Sequence, residues 1–294
     1  MYNYEDIKIQ NKCQQVYSMY ASISRNIMKR CGDKTGERII RKAVKRTGTR
    51  IGEEILEEHR KNGIKTNLHN LYFHGLNILF DPRTRIESIF DFEDRQNFEV
   101  HTCPFAHFHT MQGEGKMGSF FCDEFQYAVV LAYTENMGQL NLSKMLTYDN
   151  DNFCCISSYF RPSNVGAQRA KESFTSMDPL ADIVVQQEER ERKTGDIAKF
   201  AIQLYSNLFH EAEEICGNEG VCAVCDGLKD WAEDAIKQLH KNASDTGCQY
   251  NEEFVEKNFP LAPHGEYEKY GLCQDGQANR VLTNLVLNEI QRSF

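Results

Sequence analysis

The sequence has no excess of basic residues, no long apolar run and no internal repeat. Its 34 Lys and Arg against 43 Asp and Glu give a formal net charge of -9, which argues against a general nucleic-acid-binding protein. No stretch approaches the roughly 18 consecutive apolar residues of a membrane span, and the first residues lack the basic start and apolar core of a secretory signal. We therefore expect a cytoplasmic protein that binds neither nucleic acid nor membrane.

Cysteine, by contrast, is abundant, with 11 residues in a chain of 294. In a reducing cytoplasm these residues are better interpreted as thiols, metal ligands or catalytic groups than as a disulfide framework. The hydrophobic fraction of 40% and the aromatic fraction of 11% are typical of a globular protein. The length fits one large domain or two modest ones.

The spacing of apolar residues predicts the elements of the first half of the chain. Two helices are predicted within residues 5–62, with a break at Gly32, and two strands at 85–92 and 97–102 form a predicted hairpin. Pro104 ends the second strand, because proline donates no ladder hydrogen bond but is well tolerated as a first helical residue. Gly113, Gly115 and Gly118 predict a flexible loop, and a helix over 120–133 and strands at 142–148 and 153–160 complete this half.

A domain boundary is predicted at residues 161–164, where Pro162 interrupts the pattern. Beyond it, apolar spacing predicts helices over 194–216, 228–240 and 278–292, and the stretch 251–276 reads as a packed loop. The predicted fold is α+β, with N-terminal helices packed on a small antiparallel sheet and a mostly helical C-terminal extension. The predicted domains are residues 1–162 and 163–294.

Two groups of residues have the composition of metal sites. On a continuous strand, one face would hold His101, Cys103, His107 and His109, but Pro104 argues against that strand. In a helix only Cys103 and His107 stay aligned, so we interpret the three histidines as proton-handling groups or supports of a cysteine site.

The second group lies in the C-terminal region, at Cys216, Cys222 and Cys225. The two-residue spacing of Cys222 and Cys225 is typical of half a zinc site, but no second close pair accompanies it. Buried structural thiols are the alternative.

A cysteine nucleophile is the other hypothesis, and Cys122 is the first candidate. The predicted helix over 120–133 places Cys122 and Asp123 in its first turn, where the helix dipole stabilises a thiolate. Cys103 and Cys154 fall at the ends of predicted elements in the same domain. Buried and inert cysteines remain the alternative.

Three short motifs carry a family resemblance: Cys103-Pro104, Phe121-Cys122-Asp123-Glu124 and Asp151-Asn152-Phe153-Cys154. Over about residues 15–162 the chain resembles the L-2-amino-thiazoline-4-carboxylic acid hydrolase family. It departs from the family pattern at Asn150, where members tend to have Gly, and at Cys155-Ile156. The resemblance implies a hydrolase that opens a thiazoline ring by attack of water at the carbon between sulfur and nitrogen, yielding a carbamoyl-cysteine.

For this reaction we assign roles to named residues. Cys122, Asp123, Cys103 and Cys154 are the candidate catalytic residues, and His107, His109 and Arg161 are the candidate substrate-binding residues. Cys122 would add to the ring carbon, Asp123 or a histidine would move protons, and Arg161 would hold the substrate carboxylate.

The expected partner is a small-molecule substrate, and a homo-oligomer is left open. We expect no cofactor, apart from the zinc alternative at Cys216, Cys222 and Cys225. The competing hypothesis is a non-enzymatic sensor or interaction module that binds a small ligand or a metal.

Overall fold

In the computed structural model, residues 3–75, 81–148, 150–185, 196–261 and 276–294 are described. The helices are α1 (Tyr4–Cys31), α2 (Asp33–Lys61), α3 (Leu68–Asn70), α4 (Pro104–Met111), α5 (Gly115–Tyr133), α6 (Ala167–Ser173), α7 (Ile197–Thr246), α8 (Glu252–Asn258), α9 (Gly276–Leu282) and α10 (Asn288–Arg292). Single π turns, Leu71–Gly75 and Thr283–Leu287, follow α3 and α9. The strands are β1 (Arg85–Asp91), β2 (Arg95–Thr102), β3 (Gln139–Lys144) and β4 (Cys154–Tyr159).

The two N-terminal helices are confirmed, with the break where the sequence predicts it. The side chain of Asn3 caps α1 by accepting the N–H of Asp6 at 2.8 Å. Gly32, with φ of 78°, is the single residue between α1 and α2, and this backbone conformation favours glycine. The chain therefore turns sharply, so that α1 packs against α7 while α2 packs against α5.

Glycines bring α2 and α5 into close contact. A Cβ atom added to Gly48 would lie 2.5 Å from the carbonyl oxygen of Phe125, and one added to Gly52 would lie 2.5 Å from that of Val129. Both distances are shorter than van der Waals contact. The absence of side chains at Gly48 and Gly52 thus sets the distance between the two helices.

The four strands form one antiparallel sheet in the order β1-β2-β4-β3. The predicted hairpin and the predicted strand at 153–160 are confirmed, whereas the strand predicted at 142–148 ends at Lys144. Beyond it the chain bends, because the N–H of Leu146 donates to Cys154 Sγ at 3.3 Å instead of continuing a ladder. Helices pack onto this small sheet, which confirms the α+β fold class.

The C-terminal helices differ in extent from the prediction. α7 runs from Ile197 to Thr246, with non-helical geometry inside it at Gly217, and so includes the stretch between the two predicted helices. We call residues 197–216 its first arm and 218–246 its second arm. α8 lies within the predicted loop over 251–276, of which residues 262–275 fall outside the described part of the chain. The helix predicted at 278–292 is confirmed, with a π turn inside it.

The hydrophobic core crosses the predicted domain boundary. Phe200 of α7 packs edge-on against Phe125 at 5.6 Å and against Phe121 at 6.3 Å between ring centroids. One cluster of buried residues includes side chains from both halves of the chain. The division into residues 1–162 and 163–294 stays a prediction. Among the described residues, no helix combines the length and the apolar character needed to cross a membrane.

Candidate active site

The structure brings together three cysteines that are far apart in the sequence. Cys103 lies directly before α4, Cys122 lies in α5, and Cys154 is the first residue of β4. The thiols are close enough for their charges to interact: a thiolate at Cys103 or Cys154 raises the pKa of Cys122, and a thiolate at Cys154 raises the pKa of Cys103. We call these residues the cysteine cluster.

Burial controls the ionisation of the cysteine cluster. Loss of contact with water is the largest cause of each shift. It raises the pKa of Cys103 to about 11 and that of Cys122 well above its ordinary value, and it also raises the pKa of Cys154. All three residues nevertheless keep some accessible surface. The three residues are therefore neither sealed completely in the core nor exposed on the outer surface.

Each thiol of the cluster has a donor that favours its thiolate. The N–H groups of Phe105 and Ala106, in the first turn of α4, lower the pKa of Cys103, although neither forms a full capping hydrogen bond. Cys154 accepts the N–H of Leu146 at 3.3 Å, and the side chain of Thr147 lowers the pKa of Cys122 without forming a full hydrogen bond. Since each negative charge disfavours the others, the cluster favours a single thiolate at a time.

A buried polar cluster lies beside the cysteines and was missed by the sequence analysis. Asp81 is fully buried and accepts hydrogen bonds from Arg83 Nε at 2.9 Å, from Arg83 Nη2 at 2.6 Å and from the Tyr17 hydroxyl at 3.2 Å. Its charge raises the pKa of Cys103 and, after burial, is the next cause that raises the pKa of Cys13 to about 12. Asp81, Arg83 and Tyr17 are the Asp81 cluster. In the sequence, Asp81-Pro82-Arg83 reads as an ordinary turn, and a charged pair directly after an apolar run is its only distinguishing signal.

Cys122 does not lie in the first turn of its helix, so that prediction is wrong. α5 begins at Gly115, which places Cys122 in the third turn, where the dipole of the helix start no longer acts. Gly115 and Gly118 were interpreted as a loop. Both belong to α5. A Cβ at Gly118 would lie only 3.1 Å from Cβ of His109 and from Cγ2 of Thr147, so a glycine permits this close contact.

Asp123 points toward α2. Its Oδ2 atom accepts a hydrogen bond from Arg41 Nη1 at 2.9 Å, and the same guanidinium contacts Glu37 at 2.9 Å and Glu124 at 3.2 Å. The structure thus places Asp123 in an ion-pair network between α2 and α5.

The histidines of the 101–109 stretch lie in three different environments. His109 is fully buried among the rings of Phe105, Phe108 and Tyr20, with centroids 4.5–5.5 Å away, and burial lowers its pKa to about 4. His109 is therefore neutral at pH 7. His107 is exposed on α4, and His101 lies on β2, with Nε2 3.4 Å from a carboxylate oxygen of Glu99. Because residues 104–111 form a helix, these side chains do not share the single face that a continuous strand would have given them.

The structure does not bring Arg161 to the cysteine cluster. Arg161 is exposed and lies over the ring of Tyr159 at 5.6 Å, beyond the far end of β4 from Cys154. The strand separates these two ends by roughly 20 Å at about 3.3 Å per residue. Arg83 is the arginine that is paired with Asp81, whose charge acts on Cys103.

The three cysteines of the predicted zinc site lie along α7. Cys216 ends the first arm, and after burial its thiol is the next cause that raises the pKa of Cys31, while Cys222 and Cys225 are in the second arm. Among the residues that the structure describes, no group of three or more His, Cys, Asp or Glu side chains is arranged to hold a metal ion. Zinc at this position stays a prediction.

Comparison with known proteins agrees with the resemblance in the sequence. The model of one protein family, L-2-amino-thiazoline-4-carboxylic acid hydrolase, matches residues 12–158, which is half of the chain. No curated protein and no solved structure matches. The matched stretch contains the whole cysteine cluster and the whole Asp81 cluster. The chain therefore belongs to the L-2-amino-thiazoline-4-carboxylic acid hydrolase family, whose name is that of a hydrolase.

Proposed function

We propose that this protein hydrolyses a small heterocycle that resembles 2-aminothiazoline-4-carboxylate, by cysteine-assisted opening of the ring. The observation that supports the proposal is the electrostatic influence of Cys103 and Cys154 on Cys122, and of Cys154 on Cys103, within the family-matched stretch. A lone buried thiol is inert, whereas a thiol with positioned N–H donors and neighbouring proton donors has the surroundings of a nucleophile.

Cys103 is the proposed nucleophile, in preference to Cys122. The N–H groups of Phe105 and Ala106 favour its thiolate, while Cys122 is too far along α5 to gain from a helix start. Cys154, whose thiol accepts the N–H of Leu146 at 3.3 Å, is the alternative nucleophile. Cys122, whose pKa is the more strongly raised, remains a protonated thiol that is able to donate a proton.

The proposed reaction has two steps that balance. The Cys103 thiolate adds to the ring carbon between sulfur and nitrogen, the ring C–S bond breaks, and the departing sulfur takes a proton from Cys122. Water then adds to the enzyme-bound carbon, its protons pass to the substrate nitrogen and to Cys122, and the Cys103 thiolate leaves. The product is a carbamoyl-cysteine.

The Asp81 cluster supplies substrate binding in this proposal. Arg83 uses Nε and Nη2 to hold Asp81, and its Nη1 group forms no hydrogen bond with a described residue. This group is the proposed donor to the substrate carboxylate. Asp123, paired with Arg41, positions α5 against α2 rather than moving protons.

The test is ring opening measured for single cysteine variants. With 2-aminothiazoline-4-carboxylate as substrate and chromatographic detection of carbamoyl-cysteine, Cys103→Ala should lose activity by orders of magnitude. Cys222→Ala, which removes an exposed cysteine outside the matched stretch, is the matched control and should retain full activity. Full activity in Cys103→Ala would exclude it as the nucleophile.

The covalent intermediate gives a second readout. Addition of a thiolate to the ring releases no atoms, so the adduct should increase the mass of the protein by that of the complete substrate. Rapid quenching in acid followed by mass spectrometry should locate this increase on the peptide that contains Cys103. An adduct on Cys122 or Cys154 would keep the cysteine mechanism and replace the nucleophile.

A further inference from the structure

A polar groove lies on the other side of α1 from the cysteine cluster. It runs between α1 and the second arm of α7, beside the end of α4, and has a volume of about 370 Å³. Ligand pockets for small molecules begin near this size. We call it the α1/α7 groove and define it by Gln15, Ser18, Ser22, Arg25, Lys237 and Lys241.

Its wall on α1 is buried yet polar. Gln15 is 2% exposed and Ser22 is 1% exposed, although both lie where a helix that packs on another normally has apolar residues. The side chain of Gln15 forms no hydrogen bond with a described residue, and its oxygen is shielded from water. A buried amide without a partner costs free energy, which a ligand hydroxyl could recover.

The opposite wall and the mouth of the groove carry an unbalanced positive charge. Arg25 is held by Glu114, with Nε 2.6 Å from Oε1, and Lys237 Nζ lies 3.7 Å from an oxygen of Asp234, which also lines the groove. Lys241 has no ion-pair partner among the described residues. The ammonium group of Lys241 is therefore left at the groove without a carboxylate partner among the described residues.

We propose that the α1/α7 groove binds a small anion that carries hydroxyl groups, a sugar phosphate or a sugar acid. Lys241 contacts the anionic group, and Gln15 with Ser18 and Ser22 contacts the hydroxyl groups. This site is separate from the cysteine cluster, since Phe108 lines the groove on one side and contacts the ring of Tyr17, at 6.2 Å, on the other. The proposal does not depend on the proposed hydrolase activity.

Calorimetric titration with four probes tests the proposal. Ribose 5-phosphate and gluconate combine an anion with hydroxyl groups, inorganic phosphate has only the anion, and ribose has only the hydroxyl groups. At least one of the first two should bind about tenfold more tightly than phosphate and ribose, and the tighter of them identifies the anionic group. Equal or undetectable binding of all four probes would overturn the proposal.

Variants locate the site. Lys241→Gln should weaken binding of the tighter probe about tenfold, the change expected for loss of one charge-assisted hydrogen bond. Lys229→Gln, on the same helix but outside the groove, is the matched control and should bind as the wild type does. Gln15→Leu should weaken the hydroxylated probe and leave phosphate unaffected. Equal affinity in Lys241→Gln and Lys229→Gln would place the binding elsewhere and refute the assignment, even if Gln15→Leu does not fold.

Discussion

Asp81 is the residue on which the polar side of the candidate site depends. Its carboxylate is fully buried and receives two hydrogen bonds from the Arg83 side chain, one from the Arg83 backbone N–H at 3.0 Å and one from Tyr17. A buried carboxylate is tolerated only when it is paired and hydrogen-bonded. The fixed position of Asp81 in turn fixes the guanidinium of Arg83 next to a carboxylate whose charge acts on Cys103.

Replacement of Arg83 by Lys tests whether the Arg83 guanidinium binds the substrate carboxylate. Lysine keeps the positive charge next to Asp81 but lacks the planar guanidinium group, which can donate hydrogen bonds to two carboxylates at once. We expect KM for 2-aminothiazoline-4-carboxylate to rise about tenfold, with a much smaller change in kcat, in steady-state kinetics. Arg161→Lys is the control and should leave both constants unchanged. A larger effect at Arg161 than at Arg83 would restore the role that the sequence analysis gave to Arg161.

The buried histidines predict how stability depends on pH. Burial is the largest cause that lowers the pKa of His59 and of His109 to about 4, below the ordinary value of 6.5. Below pH 6.5 the unfolded chain therefore binds more protons than the folded chain, and stability falls as the pH falls toward 4. Each histidine should cost about 2 kcal/mol at pH 5 relative to pH 7.

Urea unfolding at pH 7 and pH 5 measures this loss. His109→Leu should show a smaller loss of unfolding free energy between the two pH values than the wild type, even if it is less stable at both. His107→Leu, at an exposed position of the same helix, should keep the wild-type loss. An unchanged loss in His109→Leu would contradict the role of His109 in acid sensitivity.

At the scale of elements, the contact between α2 and α5 depends on glycine. Gly52→Ala places a methyl group 2.5 Å from the carbonyl oxygen of Val129, so the helices must move apart. We expect a loss of about 1–3 kcal/mol in unfolding free energy, despite the better helix propensity of alanine. Gly166→Ala meets no atom within 4 Å and should change stability by less than about 0.5 kcal/mol. Equal unfolding midpoints for the two variants in chemical denaturation would mean that the α2–α5 interface yields without cost.

The elements also show what could be predicted from sequence. Pro104 predicted both the end of β2 and the start of α4, because its ring acts locally on the backbone. Gly118 was wrongly predicted to lie in a loop, because the sequence does not distinguish a glycine that permits a close helix contact from a glycine in a loop. The proximity of the three cysteines could not be predicted without the fold. The Asp81 cluster could not be predicted either, because Asp81 and Arg83 are 64 or more residues from Tyr17. Local chemistry was predictable, and long-range pairing was not.

At the scale of the whole molecule, the family match and the core have different extents. The match ends at residue 158, but α7 lies beyond it and packs against both α1 and α2. Phe200 packs against Phe121 and Phe125 of α5, which is the helix that carries Cys122. The C-terminal half is therefore a structural support of the helices that position the candidate site.

This packing predicts that both halves unfold together. Trp231, the only tryptophan in the chain, is fully buried and stacks on Phe259 at 5.4 Å, so its fluorescence reports the C-terminal half. Pulsed alkylation of the buried Cys13, followed by peptide mass spectrometry, reports α1. Both signals should have the same denaturant midpoint. Phe200→Ala should lower both midpoints equally, because it should reduce the free energy of unfolding by about 3–5 kcal/mol. Two separate midpoints, with Phe200→Ala changing only the fluorescence, would instead establish the domains 1–162 and 163–294 as independent folding units.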